Sequence, residues 1–138
     1  MNHPKLVMSF LLLIFIACAE RPRLPTEIEI ISNEPSVAND INDFSFEIGA
    51  QQLFFTDSYS VEFNSTIVTL FVTVSNYSDG TGTLVLNGPG NSLIFSHSLN
   101  QNQNEEFRLS GSNVPQKIQL AFNNYRGRVL IQLEPAPQ

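Results

Sequence analysis

The 138-residue chain has no tryptophan and one cysteine, Cys18, and after the first 18 residues it has a single histidine, His97. Each scarcity excludes something. Without a second thiol there is no disulfide framework, so whatever folds after Cys18 is held by its apolar core. One histidine and no thiolate fall short of the three or four ligands of the usual zinc site. A hydrolytic triad needs a nucleophile, a base and a group that orients the base. His97 shares its strand face with Leu93 and Phe95, which points it toward an interior rather than toward a substrate. No apolar run is long enough to cross a bilayer: Leu6–Ala17 spans roughly 18 Å as a helix at ~1.5 Å per residue, against ~30 Å of hydrocarbon. After Cys18 no segment carries the i, i+3, i+4, i+7 stripe of an amphipathic helix. A formal net charge of −6 sets the chain against phosphate backbones and anionic head groups, which argues against a nucleic-acid partner.

What is present begins with the leader. Lys5 precedes the apolar run, and Cys18 closes it, as in a signal peptide covering residues 1–17. The stretch Phe15-Ile16-Ala17-Cys18 resembles the lipobox of bacterial lipoproteins. That resemblance implies that Cys18 is lipidated and becomes the new N-terminus, anchoring the exported protein to a membrane of the cell envelope. The same resemblance implies the outer membrane if the host is Gram-negative, since Ala19 stands where enteric lipoproteins retained at the inner membrane commonly carry aspartate. A competing reading takes Ala17-Cys18-Ala19 as the small-x-small site of an ordinary signal peptidase, which releases a secreted protein beginning at Glu20. Residues 18–26 contain Arg21, Pro22, Arg23 and Pro25 without apolar period and are expected to form a flexible tether.

From Glu27 the pattern becomes alternating. Ile28 and Ile30 oppose Glu27, Glu29 and Ile31; the same two-residue period recurs at Phe44–Ile48, Val61–Phe63, Thr66–Ser75, Leu84–Leu86, Leu93–Phe95, Phe107–Leu109, Ile118–Phe122 and Val129–Leu133. Successive side chains of a strand point to opposite faces, so such runs predict half-buried strands. Asp79-Gly80, Asn87-Gly88-Pro89-Gly90 and Asn123-Asn124-Tyr125-Arg126-Gly127 supply residues tolerant of positive φ, as hairpin turns require. The expectation is one all-β domain over residues 27–135, an antiparallel β-sandwich of eight or nine short, sequentially paired strands, immunoglobulin-like or jelly-roll-like. No family motif stands out along it.

Site candidates are few. Tyr59, Tyr77 and Tyr125 lie among polar neighbours and are candidate platforms for a glycan, with the plainer alternative that their rings cap the core while the hydroxyls reach water. Asp40, Asn42 and Asp43 gather hard oxygen donors suited to a structural calcium ion, though their spacing is not that of an EF-hand. Glu105 and Glu106 are adjacent on a strand and project to opposite faces, so they do not converge as a catalytic pair. The sequence thus predicts a non-catalytic, lipid-anchored envelope protein whose β-domain serves as a structural or protein-interaction module. The alternative is a secreted or tethered carbohydrate-binding module. No cofactor is expected beyond that calcium ion, and the expected partners are the membrane, an envelope protein or a glycan.

Overall fold

The structure is a computed structural model and describes residues 32–137. Cys18, the leader, the tether and the strand expected at Glu27–Ile31 lie outside the described residues. Among the described residues six strands follow one another: β1 (Ser36–Asp40), β2 (Asp43–Ser60), β3 (Ile67–Asn87), β4 (Leu93–Ser98), β5 (Gln103–Ser110) and β6 (Lys117–Pro135), with a 3-10 turn at Pro89–Asn91. All pairings are antiparallel, in the order β1-β2-β6-β3-β4, with β5 also paired to β3. Long-range partners dominate: β6 lies between β2 and β3, so sequential pairing holds for β1–β2 and β3–β4 but not for the centre of the sheet.

Among the described residues the strands are fewer and longer than the eight or nine expected, chiefly for one physical reason. Two of the three segments read as hairpin turns lie inside continuous strands. Register shifts interrupt β2 at Ala50–Phe55 and β3 at Ser75–Thr81, and the ladder between β3 and β6 shifts at the same level. There the backbone enters the left-handed region at Gln52, Asn76, Gly80, Asn124 and Gly127. A bulge with a residue in that region bends a strand and increases its twist without ending it. Gly80 (φ 87°) and Gly127 (φ 151°) are where β3 and β6 crowd each other: a Cβ on Gly80 would overlap the Asn124 carbonyl, and one on Gly127 would lie 3.1 Å from the Tyr77 Cα. The third turn segment, Asn87–Gly90, does connect two strands, β3 and β4.

The register shifts of β2, β3 and β6 fall at the same level, and aromatic side chains from either side of it meet. Phe46, in the first half of β2, meets Phe55 and Tyr59 of its second half at 6.1 Å each and stacks on Phe122 of β6 at 6.3 Å. Most of the alternating set read from the sequence is buried core: Phe44, Phe46 and Ile48; Val68, Leu70, Val72 and Val74; Leu84 and Leu86; Ile118, Leu120 and Phe122; Val129, Ile131 and Leu133. Of the same set, Leu93 is exposed and Phe95, Phe107 and Leu109 are half-buried, while Ala50, Leu53, Leu99 and Tyr125 join the core. Val61 and Phe63 are buried as well, but from a loop rather than a strand. That loop is tied down where the Val61 N–H donates to the Gln116 carbonyl and the Glu62 carbonyl accepts from the Asn42 N–H.

Candidate functional site

β4 and β5 pair with the same edge of β3 but with opposite halves of it, Thr83–Asn87 and Ile67–Val74. The bend in β3 therefore brings β4 over β5, and their inward side chains close that edge. Phe95 and His97 of β4 lie 4.8 and 4.9 Å from the Phe107 ring of β5, and Phe95 stacks on His97 at 5.8 Å. The His97 Nε2 lies 3.7 Å from the Glu105 carboxylate, beyond hydrogen-bonding distance, and has no hydrogen-bond partner among the described residues. The same nitrogen is buried from solvent. A general base has to reach the proton it removes. Packed between two rings, this imidazole is arranged as part of an aromatic seam.

Beside the seam is an open cavity of about 380 Å³ lined by Leu93, Ile94, Arg108, Ser110 and Asn113, among others. Its floor follows from a register shift at Leu86/Asn87, which turns Leu93 out of line with Phe95 and leaves it 65 % exposed. Alternation had placed Leu93 inward with Phe95 and His97; the bulge reverses it. Arg108 is the charged side chain of the lining. Sequence reading missed this cavity, because its walls come from β3, β4, β5 and the 111–115 turn, which long-range pairing with β3 brings together.

The three tyrosines are not gathered into one groove. Tyr59 packs on Phe44 and Phe46 at 5.7 and 6.1 Å. Burial, with Asp57 beside the hydroxyl, pushes its pKa up to about 12. Tyr77 and Tyr125 touch each other at 5.6 Å at the bend. The Tyr77 hydroxyl donates to the Gly80 carbonyl (2.7 Å) and that of Tyr125 to the Leu99 carbonyl (2.7 Å). Tyr125 is fully buried, which raises its hydroxyl pKa well above the ordinary value, with the nearby Tyr77 adding to the effect. Neither the glycan reading nor the cap reading of Tyr125 describes this placement: its ring meets no solvent and its hydroxyl bonds to protein. The short link between β4 and β5 does the stapling here. The Leu99 N–H donates to the Gly82 carbonyl, while the Asn100 and Asn102 side chains accept from the N–H groups of Gly82 and Tyr77.

The acidic loop resolves into a hairpin. Asp40 and Asp43 face each other as the closing pair of β1 and β2, and Ile41-Asn42 form the turn, with Asn42 at φ 63°. The Asn42 Oδ1 accepts the Asn64 N–H at 2.7 Å, and the Asn39 amide donates to the Ser60 carbonyl at 2.7 Å. The amide oxygen expected to serve calcium thus caps a neighbouring loop. Among the described residues no three His, Cys, Asp or Glu side chains cluster. Cys18, the lipidation candidate, lies outside the described residues.

No protein-family model matches the chain, and no curated protein matches it. Two solved structures resemble it distantly. One is a chain from Bacillus endospore appendages, described as disulfide-linked pili: 10 % identity over 82 % of this chain and 100 % of that one, with a TM-score of 0.46. The other is an RmlC-like cupin protein from Desulfovibrio desulfuricans: 16 % identity over 83 % of this chain and 98 % of that one, with a TM-score of 0.35. At such scores neither contributes to a functional argument.

Proposed function

We propose that this protein is a lipid-anchored component of a cell envelope, held through Cys18, whose β-domain acts as a non-catalytic structural or protein-interaction module. The observation that carries the reading is the leader: a short apolar run after Lys5 that ends in Ala17-Cys18, the chain's one cysteine. The use of the polar groups in the described domain supports it. The side chains best suited to a ligand are engaged internally: the Tyr77 and Tyr125 hydroxyls on backbone carbonyls, the Asn42 oxygen on a backbone N–H, and His97 within an aromatic seam.

The finer architecture belongs to the same proposal. The folded sheet is read as two leaves packed face to face, a β-sandwich whose strands cross from one leaf to the other at the bend. The ring contacts between Phe46 and Phe55, Tyr59 and Phe122 support that reading. An anchor of two or three acyl chains, each buried methylene contributing about 0.8 kcal/mol, holds such a domain at a bilayer without help from its own surface. Metabolic labelling with a palmitate analogue tests the anchor: label is expected on the wild-type protein and not on Cys18→Ser, and equal labelling of the two overturns it.

A further inference from the structure

We propose that β4 is a self-association edge, where a second copy of the chain lays its own β4 antiparallel to this one and joins the two sheets. Such an edge gives the interaction module proposed above its surface and its partner, and rests on that reading; the pairing itself does not require the lipid anchor. Among the described strands, β1, the second half of β2, β4 and β5 each pair on one side only. Proteins protect such edges with charge, and the others carry it: Asp40 in β1, Asp57 in β2, and Glu105, Glu106 and Arg108 in β5. The β4 sequence, Leu93-Ile94-Phe95-Ser96-His97-Ser98, has no acidic side chain, lysine, arginine or proline.

The register fixes which backbone groups β4 offers. The Leu99 N–H donates to the Gly82 carbonyl at 2.9 Å, in step with Leu84↔His97 and Leu86↔Phe95. In an antiparallel ladder, opposed residues that exchange hydrogen bonds alternate with those that do not. Phe95, His97 and Leu99 therefore turn their backbone groups toward β3, and Ser96 and Ser98 turn theirs outward. The Ser98 carbonyl shows that direction, since it accepts the Gln103 side-chain amide at 3.1 Å. The Ser96 N–H and carbonyl face the open edge.

A second copy fits this edge by symmetry. With a two-fold axis at Ser96, each Ser96 N–H meets the other copy's Ser96 carbonyl, so one residue supplies both halves of the central pair. The same register sets Phe95 of each copy opposite His97 of the other, in the positions where cross-strand side chains come closest, and carries the aromatic seam across the axis. Charge selects this edge for a like partner. The chain's formal net charge is −6, so two copies repel. Acidic side chains on the other edges would meet their own kind across an axis, whereas β4 brings none. The adjoining sheet face continues the uncharged surface: Ser96 and Ser98 lead to Val85 and Thr83, then to Gln119 and Ala121, then to Ser58 and Thr56. A strand this short makes a small contact, which confinement of both copies to one bilayer strengthens by raising their local concentration. That gain alone rests on the anchor.

Sedimentation equilibrium of the exported chain carrying Cys18→Ser tests the pairing independently of lipid. The parent is expected to form a dimer that fills as its concentration rises to millimolar. Ser96→Pro removes the central N–H, and because that N–H faces away from β3 the existing ladder loses no bond. Ser96→Lys sets two like charges against each other at the axis. Each is expected to weaken the dimer at least about tenfold, with Ser96→Lys the variant to read where proline disturbs β4. Thr56→Lys, on the same sheet face but in β2, is expected to leave it unchanged. A parent that stays monomeric, or a dimer that both Ser96 variants leave intact, overturns the proposal. Equal weakening by Thr56→Lys also overturns it, assigning the contact to the sheet face. None of these outcomes depends on whether Cys18 is lipidated.

Discussion

The Tyr125 hydroxyl donates to the Leu99 carbonyl across 26 residues of chain, tying the bend of β6 to the link between β4 and β5, with both residues fully buried. Removing the hydroxyl leaves a buried carbonyl without its donor. Tyr125→Phe is therefore expected to cost about 1–3 kcal/mol, read as a lower urea midpoint with unchanged slope. An unchanged midpoint shows that the bond does not hold the bend.

Raised tyrosine pKa values fix the sign of an alkaline effect. Below pH 10 the hydroxyls are protonated in both folded and unfolded chains, and their contribution is constant. Above it the unfolded chain releases protons that the folded chain retains, so stability falls as pH climbs from 10 toward about 12 for Tyr59, and beyond for the more deeply buried Tyr125. Urea midpoints measured from pH 9 to 11.5 should be level and then decline, with a shallower decline in Tyr59→Phe.

Glycine at the bend is a second lever. Gly80 has φ 87° and faces the Asn123 and Asn124 carbonyls, whereas around Gly111 a Cβ would meet nothing within 4 Å. Gly80→Ala should destabilise by roughly 1–3 kcal/mol, and Gly111→Ala by much less. Equal effects on thermal unfolding contradict the role assigned to the bend.

The Asn42 side chain offers a test of the hairpin against the calcium expectation. Asn42→Ala removes the acceptor of the Asn64 N–H and should lower stability by about 1 kcal/mol. Added calcium should leave the melting temperature of the wild-type protein unchanged. A rise on titration restores calcium to the Asp40–Asp43 hairpin.

Much of this was legible in the sequence because a two-residue period translates directly into a buried face. Phe44-Phe46-Ile48, Val68 to Val74 and Val129-Ile131-Leu133 are core as the alternation predicts. What alternation does not encode is whether a residue tolerant of positive φ ends a strand or bends it. Asp79-Gly80 and Asn123–Gly127 look the same in either role, and the choice is made by long-range pairing with the neighbouring strand, which bends at the same level. The second half of β2 escaped notice because Thr56, Asp57 and Ser58 break its apolar pattern at an edge. Asp57 falls on the face of Phe55 and Tyr59 by alternation and is exposed. The full burial of Tyr125 was not legible because polar sequence neighbours say nothing about what the bend folds over it, whereas Tyr59 and Tyr77 are partly buried against the core.

The anchored-module account is decided by the intact mass of the N-terminal peptide from protein extracted from membranes. The account predicts Cys18 as the first residue, carrying a mass increment of two or three acyl chains, with the Cys18→Ser protein absent from the membrane fraction. An unmodified peptide beginning at Glu20, recovered from the soluble fraction, would contradict it.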